Sequence, residues 1–473
     1  MTFRTEKDPL GEKQVPASAL YGIQTLRAAE NFPISGLMPL AGFVDAVVMI
    51  KRSAAETHRE TGRIEAAHAE AIITASDEVL GGQHRDQFIV DPYQAGAGTS
   101  HNMNCNEVLA NRSNEILGFE RGTYSPIHPN DHVNMAQSTN DVIPTAMRLA
   151  TLLALPKLLE AMDGLAASFM AKSVEFDNVM KSGRTHLQDA TPIRLGQEFG
   201  AYGRTVARHR TKLEQASKWL LAMNIGGSAV GTGLNVEPEY PALMVKYLRA
   251  ITGLEVEVGE DRIQLMQSMG DIATFSGAFR AFVLDLCKIA DDIRLLASGP
   301  RTGLAEIILP AVQPGSSIMP GKINPSIAEM VNQVCYQAIG LDTTVAMAAK
   351  AGELELNVMM PVITHNIVFG IEIVANAVRV FDERCIAGIE ADAEQCAYWL
   401  ERSPALVTAL MPKIGYGEAA KLSKEALATG KTVKELVTDK KVLEGPELDD
   451  VLNLRAMTEI GVPGGGKGVP LGG

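Results

Sequence analysis

The chain has 473 residues, more than one compact domain ordinarily holds, so two or three domains are expected. Apolar residues make up 46% and aromatics only 5%, and the abundance of Ala, Leu, Met and Glu favours helix over sheet. The net charge of −13, with no Lys/Arg block, argues against a nucleic-acid groove, and an acidic substrate would need a locally cationic or donor-rich pocket.

Residues 1–140 are mixed, with helices expected near 40–61 and 64–80 between loops rich in Gly, Pro and Asn. From about 141 the texture changes to long helices with few breakers, over 143–175, 194–223, 261–298, 325–349 and 361–390. In 261–298, Phe279, Phe282, Val283, Leu286, Ile289, Ala290, Ile293 and Leu296 recur at three- and four-residue steps, as a buried helical face requires. One helix there would run roughly 55 Å. Five such helices make a bundle, and apolar residues around much of each suggest burial against other subunits as well. After about 395 the helices shorten, and the run Gly464-Gly465-Gly466-Lys467-Gly468 is expected to fray. The expected organisation is a mainly α chain of three domains, 1–140, 141–395 and 396–473, the middle one a long-helix bundle.

The five cysteines, Cys105, Cys287, Cys335, Cys385 and Cys396, are scattered with no C-x-x-C pair, as expected of reduced structural cysteines in a cytoplasmic protein. The N-terminus has no apolar stretch of signal-peptide type, and no uninterrupted apolar run of about 18 residues or more is present, so no membrane segment is expected.

Four polar, Gly-containing segments stand out from the helical background: Gly96–Asn104, Gln137–Asp141, Gly183–Asp189 and Gly315–Pro325. The last is Gly-Ser-Ser-Ile-Met-Pro-Gly-Lys-Ile-Asn-Pro, broken throughout by Pro314, Pro320, Gly321 and Pro325. It offers two hydroxyls, an ammonium, an amide and free backbone N–H groups, which suit a carboxylate or an oxyanion. Taken alone, it reads equally well as a turn-rich surface loop. His186 could shuttle a proton, because an imidazole titrates near neutrality, or be structural. The Thr99 segment, with Asn102, Asn104 and Asn106, could be a loop capping a helix that begins near Glu107, and Ser138-Thr139-Asn140 could be only an N-cap.

Other motifs fail. Gly226–Gly233 lacks the Lys-Ser/Thr ending of a phosphate-binding loop and the preceding strand of a dinucleotide fingerprint. Pro129 between His128 and His132 argues against a helical metal pair, and there is no G-x-S-x-G elbow.

Residues 315–325 resemble the signature loop of the aspartase/fumarase superfamily, and the other three segments follow in the family's order and rough spacing. The resemblance runs from Glu6-Lys7-Asp8 to about residue 455. Tyr21–Arg27, Asp86–Asp91, Gly96–Ser100, Val331–Cys335 and Asp342–Val345 are aspartase-like, and Thr139 stands where fumarases typically carry Ser. His128-Pro129-Asn130-Asp131 instead resembles a fumarase accessory-site loop. Met360 stands where aspartases usually have an acid and fumarases a base, and His101 and Cys105 are bulkier or more reactive than expected.

The resemblance implies an aspartate ammonia-lyase that forms fumarate by anti elimination through an enediolate. Ser316 would be the base at Cβ. Thr99, Ser138, Thr139 and Ser317 would hold the β-carboxylate. Thr185, Lys322 and Asn324 would hold the α-carboxylate, and Asn140 and His186 would contact the amino group. It also implies a homotetramer with active sites shared between subunits, a small dicarboxylate or amino-acid substrate, and no metal or organic cofactor. The rivals are a class II fumarate hydratase, a lyase for a substituted aspartate, and a non-catalytic structural protein on the same fold.

Overall fold

The computed structural model describes residues 2–465. Strands β1 (Phe3–Asp8) and β2 (Gly11–Pro16) form an antiparallel hairpin that leads into α1 (Ile23–Asn31). Helix α1 has no side-chain cap of its own. Its free N–H groups donate instead to two carboxylates brought from elsewhere, Ile23 to Glu6, and Gln24 and Thr25 to Glu107, at 2.9–3.0 Å. Gly22 is required by this clamp, because a Cβ there would lie 1.9 Å from Tyr124 Oη.

Helices α2 (Ala41–Glu60), α3 (Ala66–Leu80) and α4 (Thr99–Ile116) pack on one another. Helix α4 corrects the expectation of a start near Glu107: it begins at Thr99, directly after Gly98 at φ 86°. Every residue from Ser100 to Asn111 is buried, so its asparagines find tertiary partners, as when Asn104 donates to Gln87 O and accepts from Ile89 N.

Next come α5 (Thr139–Glu175), the hairpin of β3 (Met180–Thr185) and β4 (Gln188–Arg194), and α6 (Leu195–Ser217). Pro144 inside α5 removes one helical N–H donor, and the Asn140 carbonyl four residues back accepts from Asn224 Nδ2 at 3.4 Å. The helix expected over 194–223 stops at Ser217. Its last residues form β5 (Ala222–Met223), which pairs in parallel with β6 (Glu257–Val258) beyond α7 (Tyr240–Thr252).

The single helix expected over 261–298 is two, α8 (Arg262–Gln267) and α9 (Gly270–Leu296). Asp261 caps α8 through Ile263 N and Gln264 N, and Ser268 turns extended at φ −103°, ψ 124°. The short β7 (Ile307–Ile308) precedes the signature loop, α10 (Ser326–Lys350) and α11 (Met360–Arg384). It pairs with β8 (Glu390–Ala391), after which α12 (Ala393–Arg402), α13 (Met411–Thr429), α14 (Val433–Asp439) and α15 (Gly445–Val451) complete the chain. Five helices of 23 to 37 residues therefore dominate, as a mainly α fold requires.

The chain divides into two compact units, residues 1–160, 209–284 and 334–376 in the first, and 161–208, 285–333 and 377–473 in the second. In the first, Gly370 of α11 lets the helix approach Phe279 of α9 and Leu341 of α10, where a Cβ would touch both at 3.4–3.5 Å. In the second, Phe169 meets the rings of Phe199, Tyr202 and Phe381 at 5.6–6.4 Å, and a separate apolar cluster contains Leu400, Leu410, Leu422 and Val437.

Two stretches, Thr139–Glu175 and Met360–Gly388, are long and on average apolar enough to span a membrane, but charged residues interrupt both and most of their residues are buried inside the fold. All five cysteines are buried. Of the tail expected to fray, residues 466–468 lie outside the described residues.

Candidate active site

The ten candidate residues fall into two sets. Thr99, Ser138, Thr139 and Asn140 belong to the first unit, and Thr185, His186, Ser316, Ser317, Lys322 and Asn324 to the second.

The first set sits on two helix N-termini, where unpaired N–H groups and the helix dipole favour an anion. Thr99 opens α4 and Thr139 opens α5. Asn102 ties them together, its Nδ2 donating to Thr139 Oγ1 and to Asn134 Oδ1 at 3.2 Å each. Ser138 is indeed an N-cap: its Oγ accepts from Asn140 N, and Asp141 reciprocates by accepting from Ser138 N. The other Asp141 oxygen accepts from Gly226 N and Ser228 N at 2.9–3.0 Å. The glycine stretch that failed as a phosphate loop thus wraps a buried carboxylate. Burial pushes the Asp141 carboxyl up to about 6, against the pull of these N–H donors. Asn140 Nδ2 donates to Ala229 O at 2.8 Å.

Behind this turn lies Lys51, which sequence reasoning missed. It is fully buried, and its Nζ donates to Asn134 Oδ1 and Gln137 Oε1 at 2.9 Å each. A signal was present, because Lys51 falls on the apolar stripe of α2 with Val44, Val47, Ala54 and Ala55.

In the second set, Thr185 and His186 form the exposed tip of the β3–β4 hairpin. His186 and Leu187 both take positive φ, 55° and 58°. The signature loop folds on itself. Gly315 N donates to Lys322 O at 2.8 Å, Asn324 Nδ2 to Gly315 O at 2.6 Å, and Lys322 Nζ to Asn324 Oδ1 at 2.7 Å. Gly315 is obligatory, since a Cβ would lie 2.4 Å from Lys322 O. Ser316 Oγ accepts from Ile318 N at 3.2 Å and Met319 N at 2.9 Å. The structure thus brings Ser316, Lys322 and Asn324 into one turn, with Ser317 exposed beside them.

The three unusual residues are all interior. His101 stacks on Phe43 at 4.5 Å, and neither ring nitrogen has a hydrogen-bond partner among the described residues. Burial lowers its pKa to about 3 and pushes the Cys105 thiol up to about 12. Met360 is fully buried at the first turn of α11.

Comparison with known proteins identifies the family of the chain. A family model described as Lyase matches residues 11–340, and one described as Fumarase C C-terminus matches 406–459. The chain is 48% identical to an aspartate ammonia-lyase of Bacillus subtilis, over 98% of this chain and 97% of that one. It belongs to the aspartase/fumarase superfamily. All ten candidate residues fall inside the superfamily's Lyase match. A class II fumarate hydratase of Halobacterium salinarum is also 48% identical, with 98% of each chain covered. A solved superfamily structure, a fumarate lyase:delta crystallin from Brucella melitensis bound to cobalt, is 47% identical with a TM-score of 0.94, covering 97% of this chain and all of that one. The class II fumarase of Schistosoma mansoni gives the same TM-score at 35% identity, over 96% of this chain and 99% of that one.

Proposed function

We propose that this lyase is an aspartate ammonia-lyase, eliminating ammonia from L-aspartate to give fumarate. The observation that carries the catalytic reading is the Ser316 turn. Two backbone N–H groups donate to Ser316 Oγ, leaving its own O–H proton free to depart and stabilising the oxyanion left behind. That is what a serine needs if it is to act as the base at Cβ. Lys322 bonds the neutral Asn324 amide, and among the described residues no carboxylate of the protein pairs with its charge.

On this reading Thr99, Ser138, Thr139 and Ser317 hold the β-carboxylate as it gains charge in the enediolate. The α4 and α5 N-termini under Thr99 and Thr139 support that role. Thr185, Lys322 and Asn324 hold the α-carboxylate, and Asn140 and His186 contact the departing amine, so that it lies anti to the Cβ proton. A homotetramer with shared sites, a cytoplasmic location and a three-part chain at 1–140, 141–395 and 396–473 belong to the same proposal. Exposed Leu284 and Leu295 on α9 and Met347 on α10 support the subunit contacts.

One observation favours a second reading, a class II fumarate hydratase: the Halobacterium salinarum relative so named is as similar as the Bacillus subtilis ammonia-lyase. Ultraviolet absorbance of fumarate separates the two. The purified protein is expected to produce it from aspartate; production from malate with none from aspartate would assign the hydratase.

A further inference from the structure

Strand β3 carries Lys181 and Arg184, three residues apart. In a regular strand, side chains at odd spacing point to opposite faces. Here both reach one carboxylate: Lys181 Nζ lies 3.2 Å from Glu306 Oε2, and Arg184 contacts both Glu306 oxygens at 2.9–3.0 Å. The hairpin register slips between Ser182 and Arg184, where the single Gly183 faces two residues of β4, Ala190 and Thr191, a bulge on β4 that interrupts the regular pleat there. Gly183 is required there, because a Cβ would sit 2.6 Å from Thr191 O.

Glu306 is itself fully buried and anchored, its carbonyl accepting from Asp392 N at 3.0 Å and from the Cys396 thiol at 3.5 Å. Lys181 has a second partner in Glu198 at 3.3 Å, whereas Arg184 meets no other carboxylate within ion-pairing distance among the described residues. The next residues after Arg184 are Thr185 and the positive-φ pair His186 and Leu187. Backbone held in that region persists only where its surroundings over-determine it. Glu306 also immediately precedes β7, which leads into the Ser316 loop.

We infer that Glu306, through Arg184, is a positioning residue for Thr185 and His186. It fixes the hairpin tip to the strand that feeds the signature loop, so the two substrate-binding segments of the second unit share one buried anchor. The inference rests on the assignment of Thr185 and His186 to the substrate site.

A double-mutant cycle in the full-length enzyme tests it, using Glu306→Gln, His186→Ala and the pair. The substrate is aspartate or malate, whichever the wild type turns over, so a wrong choice of reaction does not disturb the cycle. If Glu306 acts through the tip, Glu306→Gln lowers kcat/KM by about 10- to 100-fold, and the double variant loses no more than about threefold beyond the worse single. Losses that multiply, or a Glu306→Gln activity within twofold of wild type, overturn the inference. An inactive wild type or an unaffected His186→Ala overturns the site assignment and the inference with it, whereas multiplying losses leave that assignment standing. Should Glu306→Gln fail to fold, Arg184→Lys takes its place in the cycle with the same outcomes, since it keeps the charge and removes the planar guanidinium that reaches both Glu306 oxygens.

Discussion

Lys51 Nζ donates to Gln137 Oε1 at 2.9 Å and thereby sets a lysine in the interior directly behind the Ser138–Asn140 turn. Its partners are neutral amides, and no carboxylate lies within ion-pairing distance among the described residues. Burial lowers its pKa to about 8, with Cys105 and Asp141 opposing. Because the folded pKa lies below the unfolded 10.5, Lys51 favours folding fully above 10.5, and that contribution is lost as pH falls through about 8. At about 1.4 kcal/mol per tenfold step, the change is up to about 3 kcal/mol. Lys51→Met should therefore gain stability relative to wild type at pH 7 compared with pH 10, while kcat/KM falls about tenfold or more as Asn134 and Gln137 lose their donor. Denaturant unfolding at the two pH values checks the first; a stability difference that does not vary with pH would refute it.

Ser316→Ala separates catalysis from folding. Among the described residues the Ser316 hydroxyl bonds only two N–H groups of its own turn, so its loss should leave the thermal midpoint nearly unchanged. Removing the base should lower kcat by about 100-fold or more. A variant that retains activity within about tenfold of wild type takes Ser316 out of that role.

His101 makes the enzyme acid-sensitive. Its folded pKa of about 3 lies below the ordinary 6.5, because burial disfavours the imidazolium. The stability present above 6.5 is lost as pH falls towards 3, by up to about 5 kcal/mol. His101→Phe keeps a ring against Phe43 and removes two unpartnered nitrogens. Its stability should fall less steeply than that of wild type between pH 6.5 and 4, followed by denaturant midpoints. Parallel curves for the two proteins would show that His101 does not titrate in this way.

The long helices and the 315–325 loop were readable because their signals are local: apolar steps of three and four residues in one, Pro and Gly spacing in the other. The first two turns of α4 were hidden because Asn102, Asn104 and Asn106 are turn formers by intrinsic preference, and only distant partners, Gln87, Ile89 and Asn134, turn their amides into helix-compatible ones. The break before α9 was hidden because apolar spacing continues through Met266, Met269 and Ile272 while Asp261 and Ser268 redirect the backbone. Thr99, Thr139 and Ser316 could be picked out by resemblance. Lys51 and Glu306 could not: Lys51 shows only as a charge on the apolar stripe of α2, and the bonds that give both residues their importance reach residues 83 to 125 positions away.

Leu187 offers a test of strain at the hairpin tip. Thr185 pairs with Gln188, so His186 and Leu187 form a two-residue turn with both φ positive, the arrangement for which Asn-Gly is preferred. A leucine there costs about 1–2 kcal/mol in backbone strain, and its side chain, 71% exposed, recovers little by packing. Asn tolerates this conformation without the extra chain entropy of Gly. Leu187→Asn should therefore raise stability by about 1 kcal/mol, while KM stays within about twofold because Arg184 and Glu306 still hold the strand below the tip. Thermal unfolding and steady-state kinetics on the same preparation check both halves. A fall in stability would mean that the leucine packs against something in the assembled enzyme, and a several-fold rise in KM would mean that Leu187 itself shapes the substrate site.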